Sequence, residues 1–169
     1  MSLHPPLVPP LQMGPKIAVD LQPFEQLLGS AIGAFLTTLI VGAILIAIVP
    51  DYTETKMASL LDDPVGSFLY GLVVFVFLAL VVVVLVLSIL GILVAIPLLL
   101  VSYLVWAVGA SIAYLAIGDR LVGRDGGWTT PLLVGAGING ALTLTGVGGI
   151  LTFCIGAAGF GAVLRDYLG

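Results

Sequence analysis

The sequence predicts an all-α integral membrane protein, and three observations support this fold class. Charged residues make up 8% of the 169 residues, whereas about a quarter of a soluble domain is charged. The mean hydropathy is +1.28. Residues 65–118 contain no Asp, Glu, Lys or Arg, and as one helix this run is far longer than the roughly 30 Å of hydrocarbon in a bilayer. We expect three full transmembrane helices, a short amphipathic surface helix after the first, and a Gly-rich pair of short helices.

The N-terminal segment, residues 1–26, differs in composition from the rest of the chain. It holds most of the ten prolines, and it lacks the basic start and apolar core of a secretory signal. Proline-rich segments without a hydrophobic period do not form a packed core. The sequence therefore predicts a disordered tail at 1–26 and a single helical transmembrane domain at 27–169.

The first predicted span covers residues 29–49. It is uncharged and long enough to cross a bilayer, and Pro50 is expected to end it. Gly29 and Gly33 stand in Gly-x-x-x-Gly spacing, which lets two helix backbones approach closely. This pattern predicts a helix-packing face. Another helix of this chain and a second copy of the chain both fit that face. We favour another helix of the same chain.

Residues 51–63 form the predicted surface helix. Asp51 stands where an N-cap is expected, apolar residues then recur on one side, and Lys56 falls on the polar side. Asp63 followed by Pro64 is a second start signal, a cap and then a proline in the first helical position. An amphipathic helix of this kind lies on the membrane surface between two spans.

The uncharged run must cross the bilayer twice. The second span is predicted at 67–87 and the third at 97–118, with a turn at Gly91 and Pro97, because glycine and proline relax or break a helix. Since the turn carries no charge, we expect it at or within the membrane face opposite the charged loops. This pair of spans is the expected centre, against which the first span and the Gly-rich segment pack.

The third span has two faces of interest. Ala107 and Ala110 belong to its small side, which predicts helix packing. Tyr103, Trp106, Ala110 and Tyr114 fall on one helical stripe. Such a stripe is consistent either with core packing or with the lining of a cavity.

Residues 132–164 are uncharged but do not resemble an ordinary span. Gly146, Gly148 and Gly149 divide the segment into halves that are each short for a crossing of about 20 residues. We expect two short helices folded as a re-entrant hairpin, with two short spans or one span as alternatives. Polar residues in this segment make either interhelical hydrogen bonds or a path for a solute. They are Asn139, Thr143, Thr145 and Thr152.

The basic residues predict an orientation. With a hairpin, four of the five basic residues share one side, whereas one span in its place gives a split of three to two. Basic residues favour the cytoplasmic side. We therefore expect a multi-pass plasma-membrane protein with its N-terminus outside and the loops 51–63 and 119–130 in the cytoplasm. The residues on that side are Lys56, Arg120, Arg124 and Arg165, and Lys16 lies opposite.

Several function classes are disfavoured by residue type. No cluster of Lys and Arg suits nucleic acid. His4 is the single histidine and Cys154 the single cysteine, so a metal site built from these ligands is not expected, and no cofactor is predicted. The predicted spans lack charged residues and histidine, which acid, base or nucleophilic catalysis requires. We expect a protein without catalytic activity.

Three short motifs follow one another within about residues 28–168. They are Ile48-Val49-Pro50 leading to Asp63-Pro64-x-x-Ser67-x-x-x-Gly71; Leu90-Gly91-Ile92 with Pro97; and Gly146-Val147-Gly148-Gly149 with Ile155-Gly156-Ala157-Ala158-Gly159. In this order they resemble the membrane module that follows the polymer-forming domain in bactofilin-type proteins of bacteria and archaea. The resemblance implies a membrane anchor or scaffold with a polypeptide partner. Residues 1–27 hold no Gly/Val/Ile-rich β-helical domain, so a filament-forming role of this chain is not expected.

Two functions follow from these observations. The first is an anchor, scaffold or interaction module in the lipid bilayer, bound to a protein partner or to a second copy of itself. The alternative is a small channel or transporter for an uncharged solute, with the broken Gly-rich helices lining the path.

Overall fold

The computed structural model describes residues 22–145 and 147–168. Most of the predicted tail, Lys16 and Gly146 lie outside these residues, and α1 already begins within the last part of the segment predicted as tail. All six elements formed by the described residues are helical. They are α1 (Gln22–Ile48), α2 (Pro50–Asp62), α3 (Pro64–Val86), α4 (Ile89–Val122), α5 (Thr129–Thr143) and α6 (Gly148–Leu168).

Helix α4 is the centre of the bundle. The α1, α3, α5 and α6 helices each pack against it, while α5 also packs along α1 and α6 along α3. Residues 112–116 of α4 are at most 1% exposed, because neighbouring helices surround this stretch. The Gly-rich segment packs through α6 on both helices of the predicted central pair, but within the described residues α1 contacts α4 and not α3. The centre is therefore α4 and not the predicted α3–α4 pair.

Within residues 22–145 and 147–168, four helices are long and apolar enough to cross a membrane. Helix α5 is short, as predicted for the Gly-rich segment, but α6 reaches 21 residues and meets the length that a crossing requires. The prediction of two short helices is therefore wrong for α6. The break between them falls at 144–147, where it was expected. The four segments are Phe24–Ile48, Pro64–Val86, Gly91–Val122 and Gly148–Arg165.

The turn inside the uncharged run lies at Leu87 and Ser88, earlier in the chain than predicted. Ser88 adopts extended backbone (φ −108°, ψ 131°) and starts α4. Gly91 lies within the first turn of α4, where a Cβ would overlap the Leu85 carbonyl, so this glycine permits the tight turn without being its apex. Pro97 lies inside α4. There it removes one backbone hydrogen bond but does not end the helix.

The start of α2 also differs from the prediction. Val49 is the N-cap and Pro50 is the first helical residue, because the fixed φ of proline suits that position. Asp51 therefore lies in the first turn and is not the cap. Lys56 was expected on the polar side but is 2% exposed, with its Nζ 5.4 Å from the centroid of the Tyr52 ring.

Asp63 caps α3 as predicted. Its Oδ1 accepts a hydrogen bond of 2.9 Å from the Gly66 backbone N–H, and Pro64 occupies the first helical position. Its Oδ2 accepts a hydrogen bond of 2.9 Å from Arg165 Nη1 at the end of α6. These two contacts, the backbone hydrogen bond first, lower the pKa of the Asp63 carboxyl below its ordinary value of 3.8.

We expect this carboxylate to make the protein acid-sensitive. Because the pKa of Asp63 is lower in the folded protein than in the unfolded chain, its contribution is present at neutral pH and is lost as pH falls below about 3.8. Thermal unfolding of the detergent-solubilised protein, followed from neutral pH to about 3, measures this loss. Asp63→Asn should be less stable at neutral pH and should lack this part of the acid dependence, whereas Asp62→Asn should keep it. An unchanged profile in Asp63→Asn contradicts the assignment.

A second charged cluster joins α2 to the α4–α5 loop. Arg124 Nη1 lies 2.7 Å from Glu54 Oε1, and Arg124 Nε lies 2.9 Å from Asp119 Oδ1. The guanidinium also stacks 4.2 Å from the centroid of the Trp128 ring. Together with the ion pair at the end of α6, these contacts place the charged connections among the described residues at one end of the bundle. We call this end, made of residues 50–63, 119–128 and 165, the charged end.

The α5–α6 pair is shorter than the α3–α4 pair. Helices α4 and α6 run parallel, with Trp106 packed on Gly156 and Gly109 on Gly159. This register places the first residue of α6 level with Leu98. The residues of α4 before Leu98 therefore extend about 13 Å beyond α6, at about 1.5 Å per residue. The α5–α6 turn lies within the bundle length, short of the α3–α4 turn.

Candidate functional site: a cavity between the helices

Close contacts between helices are made at glycines. At these positions a Cβ would overlap the backbone or an aromatic ring of a neighbouring helix, so the missing side chain sets the distance between helices. This packing joins α3 to α6, α4 to α6, and α4 to α5. The glycines are Gly71, Gly109, Gly118, Gly135, Gly156, Gly159 and Gly161.

The small residues predicted to pack take another role. No described atom outside the local backbone lies within 4 Å of a Cβ placed on Gly29 or Gly33, so among the described helices none packs on this face, although a helix of the same chain was the favoured of the two candidates. Ala107 and Ala110 are only half-buried. They border a cavity on the inner side of α1, together with Gly33.

This cavity has a volume of about 440 Å³ and lies between α1, α4, α5 and α6. Its wall combines small residues, two aromatic rings beside the opening and an inner set of hydroxyl and amide groups. None of the described lining residues is Asp, Glu, Lys, Arg, His or Cys. The lining consists of Gly33, Ala34, Thr37, Thr38, Tyr103, Trp106, Ala107, Ala110, Ser111, Tyr114, Asn139 and Thr152.

Asn139 is the best-defined polar group in the cavity. It is 7% exposed, and its Nδ2 donates to the Ala34 carbonyl at 3.2 Å and to Thr38 Oγ1 at 2.7 Å. A carbonyl can only accept, so these bonds fix which end of the amide is nitrogen. The Oδ1 atom of Asn139 is buried and has no hydrogen-bond partner among the described residues.

A pair of hydroxyl groups forms the second polar position. The Tyr114 hydroxyl, on a side chain with 0% exposure, lies next to Thr152 at the edge of hydrogen-bond range. By strict geometry neither oxygen has a partner among the described residues. Each hydroxyl can donate or accept, so this pair can adapt to either kind of ligand group.

The predicted polar path is thus divided in two. Asn139 and Thr152 line the cavity, but Thr143 and Thr145 do not. The Thr143 hydroxyl donates to the Asn139 backbone carbonyl at 2.8 Å, and the Thr145 hydroxyl donates to the Leu142 carbonyl at 2.8 Å. Both satisfy backbone groups at the end of α5.

The aromatic stripe of the third span does line the cavity, and α1 supplies groups that sequence reasoning missed. Tyr103, Trp106, Ala110 and Tyr114 all border it, which supports the cavity interpretation of that stripe. Three further hydroxyl residues border the cavity but were not among the residues of the predicted path, and their only sequence signal for it was polarity within uncharged runs. They are Thr37 and Thr38 on α1 and Ser111 on α4.

The cavity opens sideways and is closed toward the charged end. At its outer side Tyr103 is 61% exposed, and Gly33 and Thr37 are also exposed. Below it lies a hydrophobic core cluster, whose residues on α1, α5 and α6 are closer to the charged end than the cavity residues of the same helices. The cluster consists of Leu45, Met57, Leu60, Ile112, Ala113, Leu115, Ala116, Leu132, Ala162 and Val163.

Comparison with known proteins places the chain in one family. No curated protein and no solved structure is significantly similar to it. The match to a family profile covers residues 14–169 and so includes every helix described above. The chain belongs to the family described as "Domain of unknown function (DUF8173)".

Proposed function

We propose that this chain is a multi-pass integral membrane protein that acts as an anchor or interaction module and associates with a second copy of itself through α1. Support for the membrane setting comes from the outer surface of the bundle. Large apolar residues are exposed along α1, α3 and the first half of α4, on a scale that soluble monomers rarely tolerate. The residues exposed on α3 include Val73, Val76, Phe77, Leu80, Val83 and Val84.

The proposed topology is a re-entrant α5–α6 hairpin beside three full spans, with the charged end in the cytoplasm. The position of the α5–α6 turn, about 13 Å short of the α3–α4 turn at about 1.5 Å per residue, supports the hairpin. Broken helices at membrane depth need satisfied backbone groups. In this turn the N–H groups of Leu144, Thr145 and Gly148 donate to the carbonyls of Ala141, Leu142 and Thr145. The basic residues of the charged end support its cytoplasmic placement. A full crossing by α6 is the alternative that its length supports.

The observation that carries the proposed association is the open face of α1. Glycines on the inner faces of α3, α4, α5 and α6 pack against neighbouring helices, whereas a Cβ on Gly29 or Gly33 would meet open space. Ile32, Leu36 and Ile40 flank them and are also exposed. A Gly-x-x-x-Gly face with flanking aliphatic residues is self-complementary, so two copies of α1 can cross closely on a two-fold axis.

We expect the double substitution Gly29→Leu and Gly33→Leu to abolish self-association. Two leucines on this face separate the helix backbones and remove the close contact that drives packing in lipid. Cross-linking of the full chain in lipid vesicles, with size-exclusion chromatography and light scattering in detergent, measures the change from dimer to monomer.

Gly149→Leu is the matched control for this test. Gly149 is an exposed helical glycine whose Cβ would also meet open space, but it does not belong to the α1 face. This control should remain dimeric. A wild-type protein that is monomeric in vesicles, or a double variant that still dimerises, overturns the proposal.

A conduit for an uncharged solute is the second candidate, favoured by the uncharged polar lining of the cavity. The core cluster lies between this cavity and the charged end, so among the described residues the cavity is a pocket with one side opening. That shape supports binding more directly than it supports passage.

A further inference from the structure

We infer that the cavity between α1 and α4 binds a neutral, hydroxyl-bearing molecule, which donates a hydrogen bond to Asn139 Oδ1. Gly33 borders both this cavity and the open face of α1, but the groups that would meet the ligand, Asn139 Oδ1 and the Tyr114 and Thr152 hydroxyls, lie on α5, α4 and α6. The inference goes beyond the proposed function and does not depend on dimer formation.

The buried oxygen of Asn139 indicates that the ligand carries a hydrogen-bond donor. The two amide hydrogens of Asn139 are held by the Ala34 carbonyl and the Thr38 hydroxyl, so its oxygen cannot turn toward another protein group without breaking both bonds. A buried acceptor without a partner is costly, and the cost is greater in a low-dielectric setting. A ligand O–H or N–H that meets Oδ1 removes this cost.

The lining restricts the charge of the ligand. No described residue of the cavity wall carries a positive or negative side chain at neutral pH. A phosphate, carboxylate or ammonium group would therefore be buried without a counter-charge, which is strongly unfavourable. Tyr114 and Thr152 offer hydroxyl groups at a second position, so a ligand with more than one hydroxyl group can satisfy both positions.

The shape of the cavity points to an amphiphilic or small polyhydroxyl ligand. Its volume of about 440 Å³ lies within the range of small-molecule pockets, roughly 300–1,000 Å³. The polar groups lie inside, while Gly33, Tyr103 and Trp106 border the opening between the helices. A neutral glyceride can place its glycerol hydroxyl group inside and its acyl chains outside, and a free polyol offers the same hydroxyl groups from water.

The test uses the full chain in lauryldimethylamine oxide, a detergent without hydroxyl groups that would compete for the site. Two probes distinguish the sources of the ligand, dioleoylglycerol for a lipid and free glycerol for a solute. Binding is followed by the fluorescence of Trp106, which borders the cavity, and by native mass spectrometry. Trp128 lies at the charged end beside Arg124, so Trp128→Phe removes its background signal.

Asn139→Leu should weaken binding of the active probe about tenfold, the value of one lost hydrogen bond of about 1.4 kcal/mol. Tyr114→Phe should also weaken it, and Ala110→Leu should reduce binding by filling the cavity. These two variants keep the test valid if Asn139→Leu fails to fold. Thr143→Val is the matched control, because its hydroxyl bonds to backbone outside the cavity, and it should bind normally.

Each outcome decides the question. Binding of dioleoylglycerol that depends on Asn139 supports the site and assigns a lipid ligand, and binding of glycerol that depends on Asn139 assigns a free solute. If neither probe binds, or if binding is equal in the wild type, Tyr114→Phe and Ala110→Leu, the inference is overturned. Failure of dimerisation with normal probe binding would reject the α1 proposal alone.

Discussion

Gly159→Ala is expected to destabilise the folded bundle by about 1–3 kcal/mol or more, although it adds a single methyl group. The new Cβ would overlap the Gly109 carbonyl oxygen on α4. Both partners in this contact are helix backbone, so no flexible side chain can move aside. The two helices must separate, and the packing of α6 against the centre of the bundle weakens along its length.

Gly137→Ala is the matched control for this prediction. Gly137 also lies within a helix, but its Cβ would meet no described atom within 4 Å. Alanine is the better helix former by about 0.5–1 kcal/mol, so this variant should be as stable as the wild type or more stable. Thermal unfolding in detergent compares the two variants. Equal stability of Gly159→Ala and Gly137→Ala would contradict the packing described for α4 and α6.

The contrast between these glycines shows what sequence can and cannot predict. Gly-x-x-x-Gly spacing at Gly29 and Gly33 predicts a face that permits close approach, yet no described helix of the chain packs on it. The glycines that do meet a neighbouring helix, such as Gly71 against α6, have spacing that is no more distinctive. Small residues predict where helices can pack closely. Which helices pack there is determined by the topology of the bundle.

Local chemical signals predicted some helix boundaries and missed others. Asp63 followed by Pro64 predicted a helix start correctly, because a cap and a proline act within one turn. Gly91 and Pro97 predicted a turn in the wrong place. In an apolar setting the cost of unpaired backbone keeps a helix continuous through proline, and the chain turns instead at Leu87 and Ser88.

The cavity was partly predictable for the same reason. Asn139 and Thr152 were identified because polar side chains are rare within apolar helices. Thr38 was not, because its role depends on the Asn139 amide of a distant helix. The cavity forms only because α1, α4 and α5 pack in a particular register. That register cannot be deduced from the sequence of any one of these helices.

Trp106→Ala is expected to destabilise the folded bundle by about 3 kcal/mol. The indole packs 5.6 Å from the Phe75 ring, 5.5 Å from Phe153 and 5.6 Å from Phe160, measured between centroids. It also covers Gly156 on α6. Its removal leaves a void among α3, α4 and α6, and the neighbouring groups cannot replace the dispersion attraction that the indole supplies there.

The same substitution tests the boundary of the cavity. Trp106 borders both the polar cavity and an apolar groove of about 300 Å³ on its other side, so its loss should join the two. Thermal unfolding should show Trp106→Ala well below Tyr103→Ala, since Tyr103 is 61% exposed and leaves less of a void. Trp106→Phe should recover part of the stability, because a smaller ring retains some of the packing. If Tyr103→Ala costs as much as Trp106→Ala, the aromatic cluster does not hold α6 in place.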